Sequence, residues 1–147
     1  ASPRWRITAE LARDLAEAAE RRGAQTLFVL IPESFQVNEQ LFQSYVRGFK
    51  LDSTALDLEQ PNRRLKEELS GLGFTVVDAL PDFRAAPDRT KLFGAVDEHF
   101  SPAGHVRLAN LLAPLAERLL RERAVRSRTR APGTRLTRHS RSSNARP

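Results

Sequence analysis

A chain of 147 residues has room for one domain of ordinary size and not for two. Hydrophobic residues at 40% and charged residues at 29% permit a globular core, and the absence of cysteine excludes disulfides, thiolate catalysis and Cys-based zinc sites while leaving the redox compartment, and with it the localisation, open. The net charge of +6 is unevenly placed: residues 121–147 hold nine Arg and one Glu, while residues 1–120 carry 15 basic and 17 acidic side chains, a net of −2.

Taken in chain order, Thr8 suits the N-cap of a helix over residues 8–22. Leu11, Ala12, Leu15, Ala16 and Ala19 form its stripe and Gly23 its stop. Thr26-Leu27-Phe28-Val29-Leu30-Ile31, closed by Pro32, is a continuous apolar run, the pattern of a strand covered on both faces. A helix over residues 37–47 follows, carrying Val37, Leu41, Phe42 and Tyr45. Pro61 fits the first turn of the next, which bears Leu65 and Leu69 and stops at Gly71. Phe74-Thr75-Val76-Val77-Asp78 is a second strand, ended by Pro81. A loop over residues 82–100 then leads to a last helix, with Ser101 as N-cap and Pro102 as first residue. Leu108, Leu111, Leu112, Leu115 and Leu119 line its core-facing side, and Pro114 is expected to kink it.

Alternating helix and strand implies parallel strands joined by a right-handed crossover. Two parallel strands alone make a poor sheet, because an apolar edge at residues 27–31 invites self-association. The chain also begins at Ala1 without methionine. The expectation is that further strands precede residue 1 and that residues 1–120 are the C-terminal part of a larger α/β domain. Residues 121–147 are rich in Arg, Ser, Thr and Pro, with only Val125 and Leu136 as sizeable apolar side chains, and read as a disordered tail. Phosphate contacts would give that tail a nucleic-acid role. Against it, the tail has no aromatic residue to stack on bases, and Arg outnumbers Lys 21 to 3 over the whole chain, a general bias rather than a selected patch. No apolar run approaches the roughly 20 residues of a membrane span. With no Gly-rich phosphate loop, no cofactor is expected.

The stretch that carries chemistry is Val96-Asp97-Glu98-His99-Phe100-Ser101-Pro102-Ala103-Gly104-His105. It lies between the last strand and the last helix, the carboxyl-end region where open α/β sheets place their sites. Asp97 and His99 are spaced so that, in a turn, the carboxylate reaches one ring nitrogen. That fixes the tautomer and leaves the other nitrogen to take a proton from a nucleophile.

In these residues the chain resembles a family. Asp97-x-His99-Phe100-Ser101-Pro102-x-Gly104-His105 is similar to the C-terminal block of the SGNH (GDSL-type) hydrolases. Pro61-Asn62-Arg63-Arg64-Leu65, Gly73-Phe74-Thr75-Val76-Val77-Asp78-Ala79-Leu80 and Phe83-Arg84 resemble the helix, strand and strand exit before it, and residues 27–32 the preceding strand. The resemblance implies a flavodoxin-like three-layer α/β/α domain with parallel strands, acting on small-molecule or carbohydrate acyl esters by hydrolysis or transfer, without metal or cofactor. Carried across, His99 is the general base and Asp97 its orienting acid. The family's Ser nucleophile and its Gly and Asn oxyanion-hole residues have no counterpart: no Gly-Asp-Ser follows a strand and no Gly-x-Asn block precedes the first helix. Those elements are expected before residue 1, and the chain alone is expected to be inactive as an esterase.

Plainer roles compete for several residues. Asp52-Ser53 superficially resembles the family's dipeptide but follows no strand and no glycine. Ser34 sits nearer the sheet rim, where a helix cap is its simpler role. His105, in line with Leu108 and Leu112, reads as a half-buried structural histidine. A metal site from Asp97, His99 and His105 matches no ligand template, and the remaining histidine is His139 in the tail. Asp78, at the strand end, is expected to cap or brace a loop and to carry no chemistry. The rival to an ester hydrolase is a non-catalytic α/β binding module with a basic tail, in which His99 is an exposed loop histidine beside a chance aspartate.

Overall fold

Strand β1 (Leu27–Leu30) pairs in parallel with β2 (Thr75–Asp78), Leu27 opposite Thr75 and Leu30 opposite Asp78, in the computed structural model, which describes residues 3–130. The Ala79 amide extends the ladder by donating to the Leu30 carbonyl at 3.1 Å. The architecture is thus mixed α/β, with a two-stranded sheet among the described residues.

Each strand is fed by a helix that ends the same way. Helix α1 (Pro3–Glu20) is followed by Gly23 at φ 71°, and Ala24 donates back to the Ala19 carbonyl. Helix α4 (Gln60–Gly71) is followed by Gly73 at φ 83°, with Phe74 donating to the Leu69 carbonyl. Glycine reaches this left-handed geometry without a Cβ clash, and the backbone turns into the strand. Gly71, read as the stop of α4, is its last residue, and Gly73 makes the reversal. Helix α1 starts earlier than its expected cap. Thr8 lies inside it, its hydroxyl donating to the Arg4 carbonyl at 3.1 Å, because Pro3 is itself suited to a first turn.

Between the strands, the helix expected over residues 37–47 is two: α2 (Ser34–Val37) and α3 (Glu39–Phe49). Asn38 separates them, its side chain accepting from the Gln40 and Leu41 amides at 3.0 and 3.2 Å, an N-cap that starts α3 afresh. After β2, Pro81 does not end the structure but sits in the first turn of a short helix α5 (Leu80–Arg84). Helix α6 (Pro102–Arg130) begins where the sequence placed it and continues past Pro114. It also runs beyond residue 120, through the first part of the Arg-rich segment, where Arg118–Glu122 and Arg121–Glu117 pair at i,i+4 spacing on residues that favour helix. The rest of that segment, residues 131–147, lies outside the described residues.

Helix α4 packs on both strands, α1 packs on α4, and α2 packs on α3 and α5. The core does not centre on the sheet. It consists of Val37, Ala79, Leu80, Phe83, Ala86 and Leu92, flanked by Phe93, Phe100, Leu108 and Leu111, and so lies beyond the strands' carboxyl ends, between α2, α5 and the start of α6. Phe83 is fully buried and stacks on Phe100 at 5.1 Å between ring centroids, with Phe93 tilted against both rings. Burying one such ring contributes about 2–3 kcal/mol. Two expectations of burial are corrected. Strand β1 is half-buried along its whole length rather than covered on both faces. In α1 the alanines Ala9 and Ala16 turn inward, leaving Leu11 and Leu15 exposed, because small side chains let α1 lie close to α4. No helix among the described residues is long and apolar enough to cross a membrane.

Candidate active site

The loop that carries Asp97 and His99 is built on a narrow base. Phe93 and Phe100 face each other as an isolated antiparallel bridge, and the Gly94 amide donates to the His99 carbonyl at 2.7 Å. Directly below, Ser101 caps α6 as its sequence position indicated. Its Oγ accepts from the Gly104 amide at 3.2 Å and donates to the Lys91 carbonyl at 2.6 Å, while its own amide donates to the Leu92 carbonyl at 3.0 Å. Gly104 is required by space: a Cβ there would stand 2.1 Å from the Leu92 carbonyl oxygen. The Phe-Ser-Pro-x-Gly run is therefore a seat that holds the loop against the first turn of α6.

At the tip, Asp97 and His99 do meet. His99 Nδ1 lies 3.3 Å from Asp97 Oδ2, and the His99 amide donates to Asp97 Oδ1 at 3.2 Å. The carboxylate is thus gripped from one side and presented to the ring from the other. Both side chains are open to solvent, His99 85% and Asp97 66% exposed. Nε2 has no hydrogen-bond partner among the described residues. With Nδ1 facing the carboxylate, Nε2 is the ring nitrogen left open to a proton donor.

Between them, Glu98 points the other way. Its backbone is left-handed, φ 57°, a conformation that costs a residue with a Cβ about 1–2 kcal/mol. Its carboxylate accepts from Ser34 Oγ and from Tyr45 Oη, the latter at 2.6 Å. These donors, Ser34 foremost, hold the Glu98 carboxyl below its ordinary value against the opposing effect of burial, and the same bond pushes the Tyr45 hydroxyl up. Ser34 is 2% exposed and opens α2, just after β1. The loop is thereby tied to the exit of the first strand. Sequence reasoning missed Glu98 and Tyr45. The one available signal was a second acidic residue set between Asp97 and His99.

A second buried polar group spans the strand ends. Asn62 donates to Asp78 Oδ1 at 2.8 Å, and Gln36 donates to Asn62 Oδ1 at 3.1 Å and to the Leu58 carbonyl at 2.6 Å. Asp78 also accepts from the Leu80 amide at 3.1 Å, the brace expected of it. Arg84 adds a bond from Nε to the Gln36 carbonyl at 2.8 Å. Gln36 and Asn62 were not singled out in the sequence.

The remaining candidates separate. Ser53 opens an exposed 3-10 turn capped by Asp52. Ser34 is not the cap of α2, since Glu33 occupies that place, its amide donating to the Gln36 side chain at 2.7 Å. His105 is exposed rather than half-buried, lying edge-on to Phe100 at 5.7 Å. No group of three His, Cys, Asp or Glu able to hold a metal occurs among the described residues, and His139 lies outside them. A groove of about 770 Å³ runs along the start of α6, lined by Asp82, Arg107 and Asn110, and contains neither Asp97 nor His99. Asp82 and Arg107 are paired there at 2.7 Å. No family model, curated protein or solved structure matches this chain.

Proposed function

We propose that this chain is the C-terminal, histidine-bearing part of an SGNH-type serine ester hydrolase or acyltransferase of flavodoxin-like three-layer fold. His99 is then the general base and Asp97 the acid that orients it. The single observation that carries the reading is the Asp97–His99 contact, with Nδ1 at 3.3 Å from the carboxylate and Nε2 open, on a loop anchored beyond the carboxyl ends of parallel strands. In the proposed reaction a serine hydroxyl gives its proton to Nε2 and attacks the ester carbonyl. The tetrahedral adduct collapses by breaking the ester C–O bond, and the alcohol leaves with the proton held on Nε2. The acyl-enzyme is then resolved by water or by a sugar hydroxyl, whose proton passes through the same nitrogen. On this reading the serine and the oxyanion donors are supplied by elements before residue 1. Partly uncovered apolar surface supports this: β1 is apolar yet half-buried, and Ile7, Leu11 and Leu15 make an apolar stripe on α1 that is 53–64% exposed. Further strands beside β1 would cover such surface. In their absence the same edge is where copies of the chain would associate.

The test is labelling of the longer gene product with a fluorophosphonate probe. Labelling that His99→Ala abolishes supports the proposal. Absence of labelling at any length favours the non-catalytic α/β module, the reading to which the missing nucleophile lends weight.

A further inference from the structure

We propose that Glu98 is a positioning residue for His99: anchored by Ser34 and Tyr45, it sets the backbone turn in which Asp97 and His99 meet. This rests on the reading of Asp97 and His99 as a working pair. A left-handed residue between them is not self-sustaining, because nothing local compensates for its Cβ. What holds it comes from far along the chain, Ser34 on α2 and Tyr45 on α3. Both donors are themselves immobilised. Ser34 is buried, and the Tyr45 ring sits between Phe35, edge-on at 5.5 Å, and Phe49, stacked at 5.8 Å. No Lys or Arg among the described residues pairs with the Glu98 carboxylate, which is held by hydroxyl groups alone. Two directional bonds fix an orientation, whereas a point charge would only fix a distance. With residue 98 turned inward, its neighbours are turned outward together, and the His99 amide reaches Asp97 Oδ1.

The experiment reads the His99 ring itself, by long-range proton–nitrogen NMR of the 147-residue chain with the imidazole neutral. The wild-type chain is expected to show the Nδ1–H tautomer in excess, and Asp97→Asn to abolish that excess. Glu98→Gly accepts the left-handed backbone readily but removes the anchor. It is expected to return His99 to the Nε2–H majority of a free imidazole side chain, with Glu98→Gln, which keeps an acceptor oxygen, restoring most of the bias. Tyr45→Phe, which deletes one donor and leaves the fold's apolar contacts, is expected to give a partial loss. A wild-type bias that survives in Glu98→Gly overturns the positioning role and leaves the catalytic reading standing. A wild-type ring without any bias overturns both.

Discussion

Around Phe83 the molecule is closed. Phe83, Ala79, Ala86 and Leu92 are buried, three phenylalanine rings interlock, and Gly104 leaves no space between α6 and the Leu92 carbonyl. At the sheet it is open. All four residues of β1 are half-buried, and α1 shows Ile7, Leu11 and Leu15 to solvent while burying only alanines. Both regions carry large apolar side chains on one chain, so the difference lies in what each finds to pack against. The frame that carries Asp97 and His99 is supplied by neighbours within the described residues. The sheet is covered by α4, on which α1 packs, and β1 stays half-buried. A closed site frame beside a half-covered sheet is the contrast from which the proposed reading of His99 is argued.

The largest effect that could break this contrast is in the core. Phe83→Ala is expected to cost about 3–5 kcal/mol, whereas Leu11→Ala in the isolated chain should stay within about 0.5 kcal/mol, both read from urea melts. Equal losses would mean that the α1 stripe is already covered. A Leu11→Ala cost well below that of Phe83→Ala would sharpen the contrast instead. Next come two glycines in helices. Gly104→Ala forces its Cβ onto the Leu92 carbonyl and should destabilise by about 1–3 kcal/mol. Gly48→Ala, with nothing within 4 Å of its Cβ, should stabilise by roughly 0.5–1 kcal/mol. Thermal unfolding of the two variants measures the difference.

The smallest expected effect concerns acid. The folded-state carboxyl of Glu98 is lowered by Ser34 and Tyr45, so the folded chain holds that group's proton less tightly than the unfolded one. The anchor therefore contributes stability above the ordinary carboxylate range, and the contribution fades as pH falls through the lowered folded-state value. Asp52 and Asp57 are lowered as well, by Thr54 and Arg63. The informative quantity is thus the difference between melting curves of the wild type and Glu98→Gln across that acid range. A difference that does not change with pH would show that the Glu98 carboxyl titrates alike in the folded and the unfolded chain.

Much of the local structure was legible. Ser101 and Pro102 start α6, Gly23 stops α1, the two apolar runs are strands, and Asp97 meets His99, because each depends on residues within a few positions of one another. The faces of helices were legible only as faces. The stripe on α1 was visible, but not that Ala9 and Ala16 would win its inner side and leave Leu11 and Leu15 outside. That choice belongs to α4, which α1 approaches closely.

What the sequence by itself determined is the order of helix and strand, the caps, and a loop in which a carboxylate and an imidazole pair. Only the tertiary structure decided that the core lies beyond the strand ends, that Gln36, Asn62 and Asp78 join, and that Glu98 turns in to Ser34 and Tyr45. Spacing along a chain governs hydrogen bonds within one turn. Bonds between positions 34, 45 and 98, and the burial of one face rather than another, exist only after distant segments have been brought into contact.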